Sequence, residues 1–307
     1  MRTDDVINEI EKVVRGKRQV ITMVVATLLA GGHVLLEDIP GVGKTTLAVA
    51  LSRALGLDFS RVQFTPDVVP GDLLGFTYYD QKTGEFIFRE GSIYTNLFLA
   101  DEINRTSPKT QSALLEVMEE RHATVEGRTR QLPDPFFVIA TENPYGSSGT
   151  QKLPESQLDR FMTCMTMGYP DHASEVEVLM NDSHSRLDQV QPVFTAGEIA
   201  DIRKQIENLH ADPTLYDYIV ALSEKTRTDE RFSLGLSPRG SIALFKVSRA
   251  LAYMSGRTFL APEDIHAAWM NVAAHRVRLS PRGRATGLSC EEVLSEIIRS
   301  VPIPKIS

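Results

Sequence analysis

Phosphate chemistry is concentrated in one stretch, Val34-Leu-Leu-Glu-Asp-Ile-Pro-Gly-Val-Gly-Lys-Thr-Thr46. The turn Pro40-Gly-Val-Gly43 runs directly into Lys44-Thr45-Thr46. Gly41 and Gly43 let backbone N–H groups turn inward onto phosphate oxygens, and Pro40 and Val42 complete the loop. A helix N-terminus behind them adds partial positive charge. Lys44 has the reach to meet β- and γ-phosphates, and the Thr45 hydroxyl suits Mg²⁺. A full phosphate-loop pattern begins with Gly, and this chain has Asp38 there. Gly41 supplies turn flexibility nearby. A strand–turn–helix connection of another α/β protein remains the alternative for this motif taken alone.

Further stretches add the groups that such a loop needs. Asn96-Leu-Phe-Leu-Ala-Asp-Glu102 is an apolar run ending in two acids. Beside a phosphate loop, Asp101 is placed to hold Mg²⁺ directly or through water. Glu102 can then polarise an attacking water as general base. Elsewhere the same pair is an ordinary acidic loop. Phe136-Phe-Val-Ile-Ala-Thr141 is another apolar run, followed by Glu142 and Asn143. The Asn143 amide could orient the lytic water and sense the γ-phosphate, or Asn-Pro could simply turn. Arg160 closes a short helical stretch and gains a role only if it faces another subunit's site.

These groups need elements to position them. Val34 to Leu36 read as a buried strand, and Leu47, Leu51 and Leu55 recur on one helix face ending at Gly56. Strands are expected at 59–64, 96–101, 136–141 and 162–167, so the core alternates strand and helix. Val6, Ile7, Ile10 and Val14 mark a first helix, and Val13 to Lys17 a turn into a second helix over 19–30. Two hairpins are expected, one from 76–80 and 85–89, the other over 122–132 turning at Glu126-Gly127. Arg121, Arg128 and Arg130 make the second locally basic, as a solvated hairpin or as a loop touching a substrate chain or a neighbouring subunit. Ser107 and Pro108 start a helix with Leu114, Leu115 and Met118 inside. Strand patterns stop near Tyr169-Pro170. Beyond, Thr195-Ala-Gly-Glu198, Pro213, Ser237-Pro238, Pro262 and Ser289 each start a helix. Two domains follow, an α/β core over 1–185 and a helical domain over 190–307, with Asn181 to Ser185 as linker.

Composition narrows the class. The chain has 307 residues, 42% of them hydrophobic and 24% charged, as a globular protein does. A net charge of −7 disfavours nucleic acid and anionic membrane as partners of the surface as a whole. Two cysteines, Cys164 and Cys290, suit a reducing cytoplasm and no zinc site. The charged N-terminus is no signal peptide, and the apolar run from Val20 to Leu36 is too broken to span a membrane.

Taken in order, the motifs resemble the AAA+ ATPases and, within them, the MoxR family. The resemblance rests on Asp101-Glu-Ile-Asn-Arg-Thr-Ser-Pro-Lys-Thr-Gln-Ser-Ala-Leu-Leu-Glu-Val-Met-Glu-Glu120, Ala140-Thr-Glu-Asn-Pro144, Leu153-Pro-Glu-Ser-Gln-Leu-Asp-Arg-Phe161 and Leu236-Ser-Pro-Arg239. It covers roughly residues 5 to 280. It implies a parallel five-stranded AAA+ core with a helical lid, using ATP and Mg²⁺. Gly41 to Thr46 would be Walker A, Asp101 and Glu102 Walker B, and Asn143 the first sensor. Arg160 would be an arginine finger for the neighbouring subunit's site, and Arg239 the second sensor, reporting nucleotide to the lid. Val14 to Gly16 would contact adenine. Both hairpins match insertions of this clade. A homo-oligomeric ring is implied, most simply a hexamer, remodelling protein complexes with a von Willebrand factor A domain protein as partner. A nucleic-acid motor, a P-loop kinase and a nucleotide switch are the competing readings.

Overall fold

Apolar strands that alternate with amphipathic helices build one parallel sheet, as the sequence pattern predicts. The computed structural model describes residues 2–143, 153–180 and 186–305. The Asn181–Ser185 linker and Pro144 lie outside them. In chain order the strands are β1 (Val34–Glu37), β2 (Phe59–Gln63), β3 (Phe76–Asp80), β4 (Glu85–Arg89), β5 (Leu97–Asp101), β6 (His122–Val125), β7 (Arg128–Gln131), β8 (Phe137–Glu142) and β9 (Thr163–Met165). The central sheet has the order β2-β5-β8-β1-β9, and every neighbouring pair is parallel. Helices α1 (Arg2–Glu11), α2 (Arg18–Leu29), α3 (Lys44–Ala54), α4 (Pro70–Leu74), α5 (Pro108–Glu120), α6 (Glu155–Leu158) and α7 (His172–Met180) accompany it.

Both faces of β1, β5 and β8 are buried, so these strands read as near-continuous apolar runs, whereas the edge strand β2 is half-exposed and carries Ser60, Arg61 and Gln63. Leu97, Leu99, Phe137 and Ile139 point to the face covered by α1 to α3, against Leu47 and Leu51. Phe98, Ala100, Val138 and Ala140 point to the other, against Leu114, Leu115 and Met118 of α5. The helical region packs on the first of these cores around Trp269, whose indole N–H donates to Leu294 O at 3.1 Å.

The helix starts follow their capping residues. Ser107 Oγ accepts from Thr110 N, and Ser237 Oγ from Gly240 N. Thr195 and Glu198 cap each other reciprocally, as do Ser289 and Glu292. Four features differ from the sequence reading. The first helix stops at Glu11, and β9 covers Thr163–Met165 rather than 162–167. A two-stranded antiparallel ribbon, Phe232–Leu234 with Arg278–Leu279, joins distant parts of the lid. A short helix, Pro281–Ala285, follows it. Elements this short carry too few residues to show a period.

Both hairpins form, with Phe76 opposite Arg89 and His122 opposite Gln131. They touch each other: the Arg130 guanidinium lies 3.5 Å over the Phe88 ring. Arg130 is thereby committed to packing between hairpins.

A candidate nucleotide site

The carboxyl ends of β1, β5 and β8 bring three predicted groups to one edge of the sheet. After β1 the chain enters the glycine-rich loop, with Gly41 at φ +88° and Gly43 at φ +93°. A Cβ on Gly41 would meet nothing within 4 Å, so backbone conformation alone calls for glycine there. Gly43 is the N-cap of α3, and Lys44, Thr45 and Thr46 form its first turn. The first-turn N–H groups have no intrahelical partner and point toward the loop. Pro40 and Gly41 are exposed, while Val42, Thr45 and Thr46 are half-buried.

Lys44 is buried, and its ammonium donates to Asp38 O at 2.7 Å, across its own loop. Burial pushes its pKa below the ordinary value, against the opposing charges of Asp38, Asp101 and Glu102. Those charges act on it because the three carboxylates converge on its end of the sheet. The Asp38 that replaces the motif's first Gly has a structural task. Its Oδ1 accepts from Ile39 N at 2.9 Å and its Oδ2 from Gly168 N at 2.6 Å. It therefore ties the loop to the turn after β9. Lys17 donates to Tyr169 O at 2.7 Å in that same turn. The Val14–Gly16 turn, with Val14 buried and Gly16 at φ +67°, is thus linked to the loop through two hydrogen bonds. A side chain at Gly16 would press on Ser174 Oγ at 2.9 Å.

Asp101 ends β5 with both oxygens engaged. Its Oδ1 accepts from Thr141 Oγ1 at 2.6 Å and its Oδ2 from the Arg61 guanidinium at 2.7 Å. Thr141 Oγ1 in turn accepts from Glu102 N at 2.8 Å. That bond holds Glu102 in the left-handed region, φ +58°, at a cost of about 1–2 kcal/mol for a residue with a side chain. Glu102 Oε2 accepts from Arg105 at 2.6 Å and lies 3.5 Å from Gln63 Nε2. Asn143 follows β8, and its carbonyl accepts from Asn104 Nδ2 at 3.4 Å. The donors on offer to a divalent cation, the Thr45 hydroxyl and the Asp101 carboxylate, are hard oxygens. No group of three or more His, Cys, Asp or Glu residues forms a metal cage among the described residues. Such a sparse oxygen set fits Mg²⁺, which takes one or two protein oxygens and draws the rest from phosphates and water.

Arg160 and Arg239 are elsewhere. Arg160 precedes β9, and Thr163 pairs with Val34 at the start of β1. It therefore lies at the amino edge of the sheet, opposite the loop, across β1, about 13 Å of strand. Arg160 donates to Leu115 O at 2.9 Å and lies 3.3 Å from Glu119 Oε2. Arg239 donates to Glu119 Oε1. The predicted second sensor thus stands with the predicted finger and away from its own loop. Asp159 joins the two regions. It accepts from Ser237 Oγ, the cap of the Pro238–Met254 helix, at 3.0 Å and from Arg276 Nε at 2.7 Å. A cleft of about 240 Å³ opens among Glu119, Arg160 and Arg239.

Five residues at these sites carry contacts that sequence reasoning did not assign: Arg61, Arg105, Thr141, Glu119 and Arg276. Thr141 left a signal as the polar residue closing an apolar strand, and Arg105 stood out beside the acidic pair without an assignable role. The others are ordinary charged residues until the fold brings their partners to them.

Comparison with known proteins agrees with this fold. Residues 33–163 match the ATPase family associated with various cellular activities (AAA), and 224–297 match the AAA lid domain. The chain is 46% identical to the uncharacterised Bacillus subtilis protein YeaC, over 97% of this chain and 93% of that one. It is 36% identical to "Chaperone MoxR1" of Mycobacterium tuberculosis, over 97% and 81%, and 31% identical to "Protein MoxR" of Methylorubrum extorquens, over 95% and 91%. A solved structure of a candidate ATPase from Cytophaga hutchinsonii superposes with a TM-score of 0.91 at 37% identity, covering 99% of this chain and 95% of that one.

Proposed function

Since the chain belongs to the MoxR family of AAA+ ATPases and hydrolyses ATP, we propose that it works as a closed homo-oligomeric ring, most simply a hexamer. In this reading each ATP lies on the loop of one subunit and is hydrolysed with help from the next. The observation that carries the proposal is the position of Arg160 and Arg239. Both stand at the sheet edge opposite their own loop, and both are partly exposed. Two cations so placed serve a nucleotide only if it belongs to a neighbour.

Within one subunit the roles follow from position. Val14 and Gly16 flank the base, and Gly41 to Thr46 wrap the phosphates. Lys44 exchanges its bond to Asp38 O for phosphate oxygens. Thr45 and Asp101 would hold Mg²⁺, which would neutralise charge on the phosphates when bound. Glu102 takes the proton of the attacking water, and Asn143 orients that water. Arg160 stabilises charge developing on the transferred phosphoryl group. Arg239 makes the lid report the neighbour's nucleotide.

The work done with that energy is remodelling of protein complexes, supported by the chaperone name of the mycobacterial relative. A von Willebrand factor A domain protein is the partner class that the family resemblance suggests, and the cytoplasm the compartment. Among the described residues no helix is long and apolar enough to cross a membrane. The test is phosphate release measured against protein concentration, with mass followed by light scattering in ATP. Specific activity should rise as a ring assembles. Flat activity from a monomer would overturn the shared site.

A further inference from the structure

A second cleft lies beside the one that holds Arg160 and Arg239. It measures about 140 Å³ and shares Gly31, Arg121 and Lys246 with its neighbour. Its walls are the end of α2, the Ala196–Glu207 helix, the Pro238–Met254 helix and the C-cap of α5, so it sits where core and lid meet. Arg121, Arg203, Lys246 and Arg249 line it, against the single carboxylate of Glu207. In a chain of net charge −7 this is a local inversion of sign.

The four cations are unequally satisfied. Arg203 donates to Leu28 O at 2.9 and 3.2 Å and lies 3.5 Å from Asp134. Burial and the nearby charge of Arg121 lower its pKa to about 10. Arg121 donates to Gly31 O at 3.1 Å. The Arg249 guanidinium lies 5.0 Å over the Phe245 ring, and its Nε is buried without a hydrogen-bond partner. Lys246 is exposed and makes no hydrogen bond or ion pair among the described residues. Guanidinium forks and an ammonium around one small cavity match an oxyanion that carries several acceptors and more than one charge.

We infer that this cleft binds the phosphate group of a ligand at the core–lid junction, with Lys246 and Arg249 as its uncommitted donors. Phosphate could reach it as a free anion or as part of a nucleotide on the neighbouring subunit, and the chemistry of recognition is the same. Bound there, it would draw Arg121 of the core toward Lys246 and Arg249 of the lid. Only the second source rests on the shared-site reading above.

The first arm uses the full chain carrying Lys44→Ala, which disables the nucleotide loop. Sodium pyrophosphate is titrated by calorimetry at fixed ionic strength, with sodium chloride as control. Saturable binding is expected, weakened about tenfold by adding Lys246→Ala and Arg249→Ala, and unchanged by adding Arg160→Ala. That result identifies a free phosphate ligand. In the second arm Lys246→Ala alone is assayed in the otherwise unaltered chain. A raised KM for ATP, without pyrophosphate binding in the first arm, identifies the neighbour's nucleotide. Lys246→Glu guards against an alanine effect too small to see. If pyrophosphate does not bind and neither Lys246 variant moves KM, the inference is overturned, whether or not the ATPase is a ring.

Discussion

Arg160 and Arg239 share one carboxylate, that of Glu119. Each arginine comes from a different domain, so one acid at the end of α5 holds the core's candidate finger and the lid's candidate sensor together. In a shared site both must exchange this partner for phosphate. Glu119→Gln keeps the shape and removes the charge. Exposed ion pairs are each worth up to about 1 kcal/mol. Half-maximal ATPase activity should therefore shift to a protein concentration about two- to fivefold lower, with nucleotide affinity of the dilute chain unchanged. Activity plotted against concentration reads this directly, and an unmoved curve removes Glu119 as a competitor.

In the proposed site Lys44 and Glu102 separate binding from chemistry. Lys44→Ala deletes a charge-assisted contact to phosphate and should weaken nucleotide binding by about 10- to 100-fold. Glu102→Gln keeps the site's shape and removes the base. It should bind ATP as the parent chain does and release no phosphate. Fluorescent-nucleotide titration beside phosphate release distinguishes them. Normal turnover by the Glu102 variant would show that another group activates the water.

Complementation tests the finger across a subunit boundary. Arg160→Ala should lose about 10³-fold or more in turnover. Lys44→Ala should be inactive for a different reason. Mixed together, the two variants place an intact Arg160 beside an intact loop at some interfaces. Partial recovery is expected. No recovery at any mixing ratio, with mixed rings verified by mass, would confine Arg160 to a structural part.

The phosphate loop was legible because its chemistry is local. Gly41, Gly43, Lys44 and Thr45 are close in sequence, and their residue types by themselves point to phosphate. The strands were legible because burial on both faces makes runs such as Leu97 to Ala100 wholly apolar. Strand order was not, since no residue of β8 shows that it will lie between β5 and β1. The same gap hid Arg61 and Thr141, which reach Asp101 from neighbouring strands, 40 residues away in sequence on either side. Asp38 looked like a lapse from the motif because its partner, Gly168, lies 130 residues on. Arg105 is the near case: it stands three residues from Glu102, whose backbone is left-handed, and the two side chains pair at 2.6 Å.

Arg276 fastens the lid to the core. It is buried, pairs with Asp159, and donates to the carbonyls of Asp159, Phe161, Met162 and Val272. Truncation would leave Asp159 with Ser237 Oγ but without its charged partner, and several carbonyls without this donor. Arg276→Ala should cost about 3–5 kcal/mol in denaturant unfolding. Hydrogen exchange in Phe161 to Met165 should rise with it. A loss below about 1 kcal/mol would mean that water replaces the guanidinium without penalty.

His33 gives the fold an acid limit. The imidazole is buried before β1, between the Phe136 and Phe137 rings. Met118 O can only accept and Val138 N can only donate. Their 3.0 Å bonds therefore put the proton on Nε2 and leave Nδ1 as acceptor. A second proton would displace Val138 N–H and charge a dry site. Burial accordingly lowers the His33 pKa from 6.5 to about 4. Between those values the unfolded chain binds a proton that the folded chain refuses. The contribution is therefore complete above pH 6.5 and lost as pH falls toward 4, to a total of about 3 kcal/mol. His33→Gln can still donate and accept but does not titrate. Urea unfolding of both chains at intervals from pH 7 to pH 4.5 should show the parent losing stability faster than the variant. Parallel curves would mean that His33 takes up its proton while folded.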